Sequence, residues 1–154
     1  MASVLVFLAI VLLDQAVKYW AVSFLQPVHS IPVISGVLHW TYAENTGAAF
    51  SMLSGQRIFL ILIPLLVYAV LLYLLLSKRV SHPLGKWALV FLLGGAVGNL
   101  IDRIWHGYVV DFIDVRVINF AIFNVADIFV TVGAAMLILY LLLYSEKTEK
   151  EHDN

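Results

Sequence analysis

Two acidic residues of this chain sit where their type and surroundings could support chemistry. Asp111 lies in "GYVVDF" among apolar neighbours, and Asp127 lies in "FNVADIF" at the start of a long apolar run. Taken singly, each has an ordinary structural explanation. A lone loop Asp usually serves a turn or faces solvent. An Asp in a helix's first turn complements the dipole, and Asn124, three residues earlier, can cap the same helix. Taken together they read differently. Two close carboxylates cannot both ionise easily and tend to share one proton. One then acts as base on a water while the other, as acid, polarises a scissile carbonyl. This is the aspartic-peptidase arrangement, and its pKa values belong to the pair.

Other polar residues stand in or beside apolar runs, where each is expensive. Asn99 and Arg103 are at i, i+4 with Asp102 beside them, all in "GGAVGNLIDR". They can serve helix packing with a snorkelling Arg, or form a hydrogen-bonding shelf that orients acids or a peptide backbone. Asp14 and Lys18, also at i, i+4, suit an ion pair facing other helices; a proton relay or a substrate contact is the alternative. Other chemistries lack residues. There is no HExxH, no metal-ligand spacing among the five His, no GxSxG and no Gly-rich phosphate loop. With no cysteine, disulfides, thiolate metal sites and a Cys nucleophile are excluded. No metal and no cofactor is expected.

Composition decides what must position these groups. The 154 residues are 62% hydrophobic and 12% charged, with a mean hydropathy of +0.96. Soluble domains run about 45–50% apolar and about 25% charged. This chain cannot cover itself with polar surface in water, so an integral membrane protein is expected. A net charge of −1 with no basic cluster removes the footprint of a nucleic-acid binder.

A membrane-spanning helix needs about 20 mostly apolar residues. Four such helices are expected, over 4–24, 58–77, 87–103 and 124–144, with a polar tail over 146–154 that frays into solvent. The first resists reading as a cleaved signal peptide, since Met-Ala-Ser carries no positive side chain and Asp14 interrupts the run. Lys78, Arg79 and Lys86 lie between the second and third helices, and Lys147 and Lys150 in the tail. The positive-inside rule places both segments, and so both termini, in the cytoplasm. The connections 26–57 and 104–123 then face outward, and Trp20, Trp40, Trp87 and Trp105 fall near the interfaces. Asp127 lies roughly 5 Å along the fourth helix from its outer end, and Asp111 lies in the segment joining the third and fourth helices. The two carboxylates can therefore meet at one depth, near the outer surface.

The first outward connection is β-like over 31–52. "PVISGVLHWTY" is rich in β-branched and aromatic residues, and "AENTGAAF" supplies turn chemistry. Such a segment can cap the helix ends, lie on lipid or guide an extended peptide by strand addition. The fold class is thus all-α, with four transmembrane helices and a small extracytoplasmic β-rich segment between the first two, in a single domain over 1–154.

Five motifs, "DQAVK", "ENTGAAFSML", "GGAVGNLIDR", "GYVVDF" and "FNVADIF", follow in order along almost the whole chain. In them the sequence resembles the bacterial signal peptidase II, or lipoprotein signal peptidase, family. The resemblance implies four transmembrane helices in the inner membrane and a catalytic dyad at Asp111 and Asp127. It implies supporting roles for Asp14, Lys18, Asn45, Asn99, Asp102, Arg103 and Asn124. It implies removal of the signal peptide from a diacylglyceryl-modified prolipoprotein, just before the lipid-bearing cysteine. The expected partners are lipid-modified prolipoprotein signal peptides and membrane lipid, the chain itself acting as a monomer. The stretch "IDVRVINFAIF" between the two Asp is not diagnostic. Two rivals from other classes are a small proton-coupled transporter using Asp14 and a non-catalytic assembly subunit that packs partners on its Gly94/Gly98 face.

Overall fold

The structure, a computed structural model, describes residues 1–47, 55–77 and 79–152, with residues 145–152 described by backbone alone. The part of the β-like segment that falls on 48–52, the tail residues 153–154 and Lys78 lie outside the described residues. Among the described residues four helices are long and apolar enough to cross a membrane. Helix α1 spans Ala2–Trp20 and runs into one π-helical turn, Ala21–Leu25. Helix α2 spans Arg57–Leu76, α3 Pro83–Trp105 and α4 Val125–His152.

These limits differ from the expected ones for local reasons. Helix α3 begins at Pro83, a residue suited to the first helical position, and the His82 ring accepts a hydrogen bond from the Leu84 N–H at 3.2 Å. The span expected over 87–103 is therefore 23 residues long. Helix α4 does not stop at the charged tail but continues to His152; charge ends the apolar span at Tyr144, not the helix.

Helix α3 is the centre of the bundle and packs on each of the other three helices. It buries 56% of its apolar window, against 6–17% for the others. Its glycines allow this. Gly94 faces Ile10, and Gly98 faces the Asp14 carboxylate on α1. Gly95 lies against the Ala126 carbonyl and Val130 on α4. A Cβ at any of these positions would strike its neighbour, so the helices meet almost backbone to backbone. The Gly94/Gly98 face is thus consumed inside the bundle, which leaves the assembly-subunit reading without its surface.

The β-rich part is larger than expected, and the all-α description is corrected accordingly. Strands β1, Ser30–Ile34, and β2, Leu38–Asn45, form a hairpin that turns at Gly36 with φ +74°. A third strand, β3, Val109–Val115, comes from the connection between α3 and α4, which was expected to be loop. The sheet is antiparallel with order β1-β2-β3. Strand β3 pairs Asp111 with Ala43 and Val109 with Asn45. Its buried Val110 and Phe112 pack on Ala21 and Leu25 of the π-helical turn, with Trp20 and Trp40 around them. Its other edge is occupied too: the Phe112 and Ile113 N–H groups donate to the Phe123 carbonyl, and the Val110 N–H donates to Asp102 Oδ2. Addition of a further strand along this part of β3 is therefore blocked.

Candidate active site

The start of α4 builds one half of the site. Asn124 stands at the N-cap and Asp127 at the third helical position. The Asp127 N–H donates to Asn124 Oδ1 at 3.0 Å, and the Asn124 N–H donates to Asp127 Oδ2 at 3.1 Å. This reciprocal pair is a capping box. It turns the Asp127 carboxylate back over the helix end, where the other oxygen, Oδ1, accepts from Asn99 Nδ2 of α3 at 2.8 Å. The cap and the chemical reading of Asp127 are therefore one arrangement.

Strand β3 brings the other half. Asp111 is 2% exposed. Its Oδ2 accepts from Asn45 Nδ2 at 3.0 Å, and its Oδ1 accepts from Asn124 Nδ2 at 2.6 Å. Asn45 is at the end of β2, so the β2–β3 register delivers it. Burial pushes the Asp111 carboxyl up to about 7, with the nearby Asp127 charge adding to the rise; the Asn45 and Asn124 amides and the Lys18 charge oppose it. Asn124, fully buried, is common to both halves. Its amide also reaches Asn99 Oδ1 at 3.0 Å and the Val110 carbonyl at 3.3 Å.

Behind this layer lies a buried ionic cluster. Lys18 Nζ is 2.9 Å from Asp14 Oδ2, 2.9 Å from Asp102 Oδ2 and 2.9 Å from Asn99 Oδ1. Asp14 Oδ1 accepts from the Ala126 N–H at 2.8 Å, tying α1 to the first turn of α4. Asp102 ties α3 to β3 through Val110. Asp14 is therefore a paired structural anchor, which takes away the footing of the transporter reading. Gln15, not singled out from sequence, belongs here as well. Its Nε2 donates to Asp102 Oδ1 at 3.0 Å and to the Gly98 carbonyl at 3.1 Å. An amide inside an apolar span was the available signal. Arg103 stands apart from the ionic cluster and donates from Nη2 to the Gly47 carbonyl at 3.1 Å.

The acids that crowd 102–127 thus part company. Asp102 is in the ionic cluster, and Asp114 pairs with Arg116 at 2.8 Å on the sheet. Asp111 and Asp127 alone among them line one cavity of about 460 Å³, together with Asn45, Asn99 and Arg103. The rest of its wall is mostly apolar, with Val109, Phe120, Ile122, Ile128 and Val132 among the lining residues. Among the described residues no three His, Cys, Asp or Glu side chains group as a metal site would require. Two oriented carboxylates beside an apolar cavity are equipped for general acid–base work on an amide carried by an apolar chain.

The chain matches known proteins over most of its length. A family model described as Signal peptidase (SPase) II covers residues 6–143. The lipoprotein signal peptidase of Clostridioides difficile (strain 630) is 40% identical over 148 residues, 96% of this chain and 99% of the relative. That of Caldanaerobacter subterraneus subsp. tengcongensis is 48% identical over 135 residues, 88% of this chain and 91% of the relative. Among solved structures, a bacterial membrane enzyme determined by the in meso method at 2.3 Å superposes with a TM-score of 0.85 at 35% identity, over 92% of this chain and 87% of the other.

Proposed function

The chain belongs to the signal peptidase II family, and on that premise we propose that it is a membrane aspartic endopeptidase. It removes the signal peptide from diacylglyceryl-modified prolipoproteins, cutting before the lipidated cysteine. The observation that carries the reading is the shared cavity onto which Asp111 and Asp127 both open. A signal peptide is itself an apolar helix whose cleavage site lies at its outer end, and an apolar cavity beside two carboxylates suits such a chain.

In this reading Asp111, whose carboxyl burial pushes up to about 7, holds the proton. Asp127, at the N-terminus of α4 where the dipole favours negative charge, is the base. Asp127 takes a proton from water as the water oxygen bonds to the scissile carbonyl carbon. Asp111 gives its proton to the carbonyl oxygen. Collapse of the tetrahedral intermediate breaks the C–N bond; the leaving amine takes the proton from Asp127, and Asp111 recovers its own from the hydroxyl that becomes the new carboxyl carbonyl. Asn45, Asn99 and Asn124 hold the carboxylates, while Asp14, Lys18 and Asp102 hold Asn99 and the strand that carries Asp111. Arg103, on the cavity wall, binds substrate.

The membrane placement belongs to the same proposal. Arg79 and Lys86 flank the α2–α3 connection, and the positive-inside rule puts that connection and both termini in the cytoplasm. The sheet and the dyad then lie near the outer surface of the inner membrane, and the chain works as a monomer. The test is cleavage of a diacylglyceryl lipobox peptide by the purified chain in detergent, beside Asp111→Asn and Asp127→Asn. Cleavage before the lipidated cysteine, lost in both variants, is expected. Cleavage retained by either variant removes that residue from the mechanism, and a folded wild type that does not cleave overturns the reading.

A further inference from the structure

The wall of the cavity carries one more polar group. Thr131 lies four residues after Asp127, on the same face of α4 and about 6 Å further along the helix. It is exposed, and it lines the cavity with the two carboxylates. Of the other polar side chains on that wall, Asn45, Asn99, Asp111 and Asp127 have partners within the protein, and Arg103 donates from Nη2 while its buried Nε has none. Thr131 differs. A threonine hydroxyl within a helix commonly bonds the carbonyl four residues back. Among the described residues Thr131 makes neither that bond nor one to another side chain. Helix packing does not account for it, because α4 meets α3 through Ala126, Val130 and Gly133.

A hydroxyl left without a partner against an apolar wall is costly when water is excluded, and the cost is removed by whatever fills the cavity. An apolar lipidated peptide brings few hydrogen-bonding groups to that depth. Its side chains have none, and its abundant acceptors are carbonyl oxygens. We propose that Thr131 is a substrate-binding residue whose hydroxyl donates a hydrogen bond to a carbonyl of the bound substrate, one helical turn from the dyad. The proposal rests on the signal-peptidase reading above. The carbonyl belongs either to the peptide backbone near the scissile bond or to an acyl ester of the diacylglyceryl group, and the chemistry at Thr131 is the same for both.

The experiment uses the full chain in detergent, with kcat and KM measured for a diacylglyceryl lipobox peptide and for its dialkyl-ether analogue, which lacks the ester carbonyls. The variants are Thr131→Val, which keeps the shape, Thr131→Ala, and Thr131→Ser, which keeps the hydroxyl. One neutral hydrogen bond corresponds to about a fivefold rise in KM. That rise is expected for Thr131→Val and Thr131→Ala, with kcat nearly unchanged and Thr131→Ser close to wild type. A rise on both substrates supports the proposal with a peptide carbonyl as acceptor; a rise confined to the diacyl peptide supports it with an ester. Unchanged KM in both hydroxyl-free variants, while wild type cleaves, overturns the proposal and leaves the peptidase reading standing. Absence of cleavage by folded wild type overturns both.

Discussion

Asn124 and Asp127 hold each other at both ends: each donates its backbone N–H to the other's side chain, at 3.1 and 3.0 Å. Asn124 also donates its side-chain amide to Asp111, so one residue caps α4 and orients both carboxylates. The two duties can be separated. Asn124→Ala loses the cap, costing about 0.5–2 kcal/mol, and loses the amide as well. Asn124→Ser keeps a capping oxygen but has no amide for Asp111. Thermal melts should show a lower Tm for the alanine variant than for the serine variant. Cleavage should fall at least about tenfold in both, which would tie activity to the amide.

Asp111→Asn and Asp127→Asn should both insert and fold, since an amide fills the same space. Removing one member of a catalytic unit costs as much as about 10⁴-fold or more in kcat where the unit acts together. Each variant is expected to lose at least about a thousandfold, read from single-turnover cleavage. A variant retaining a tenth of wild-type activity would exclude its residue from the proton transfers.

The raised Asp111 carboxyl has a pH signature in activity and in stability. With its folded value pushed from 3.8 up to about 7, the folded protein holds a proton that the unfolded chain releases at lower pH. Between those values the unfolded state binds fewer protons, so stability falls as pH rises, and the loss is complete above about 7. Asp111→Asn removes this titration, and its Tm should decline less than that of wild type from pH 4 to pH 8. If Asp111 supplies the acid, kcat/KM should drop about tenfold per pH unit on the alkaline side. A flat alkaline limb through pH 9 would assign the acid elsewhere.

What could be read from sequence follows from cost. A polar residue in an apolar run is expensive, and this drew attention to Asp14, Lys18, Asn99, Asp102, Asp127 and the helix that each occupies. Asn45 had no such mark: it lies in a turn-like segment where Asn is ordinary, and only the resemblance to a family pointed to it. Strand β3 was missed because it is buried on both faces, with Val109, Val110, Asp111 and Phe112 all inside. A strand of this kind shows no alternation, and the β-branched and aromatic content of "YVVDFIDV" was its remaining signal. Gln15 stands beside Asp14, whose charge is the stronger signal in the same run. Its contacts to Asp102 and Gly98 depend on how closely α1 and α3 approach, which a single sequence does not display.

The ionic cluster predicts an order of damage. Lys18 is the cation between Asp14 and Asp102, at 2.9 Å from each. Lys18→Met leaves two buried carboxylates uncompensated, whereas Asp14→Asn leaves the Lys18–Asp102 pair intact. Breaking a buried pair by removing one partner costs about 3–5 kcal/mol. The methionine variant should therefore have the lower Tm of the two in detergent melts. Equal Tm values would mean that the two carboxylates relieve the lost charge by sharing a proton or through water that reaches the cluster.

The close contact of α3 with α4 at Gly95 sets where the first turn of α4 stands. A Cβ at Gly95 would run into the Ala126 backbone carbonyl, which cannot rotate away. A Cβ at Gly94 would meet the Ile10 side chain at 2.8 Å, and a side chain can adjust its rotamer. Overpacking of this kind costs about 1–3 kcal/mol, with the larger share where backbone must move. Gly95→Ala moves the first turn of α4 away from α3 and lengthens the Asn99–Asp127 hydrogen bond, now 2.8 Å. It should lower kcat more than Gly94→Ala does, even when cleavage is measured well below either Tm. If Gly94→Ala proves the more damaging to kcat, the α1–α3 contact rather than the α3–α4 contact sets the position of the dyad.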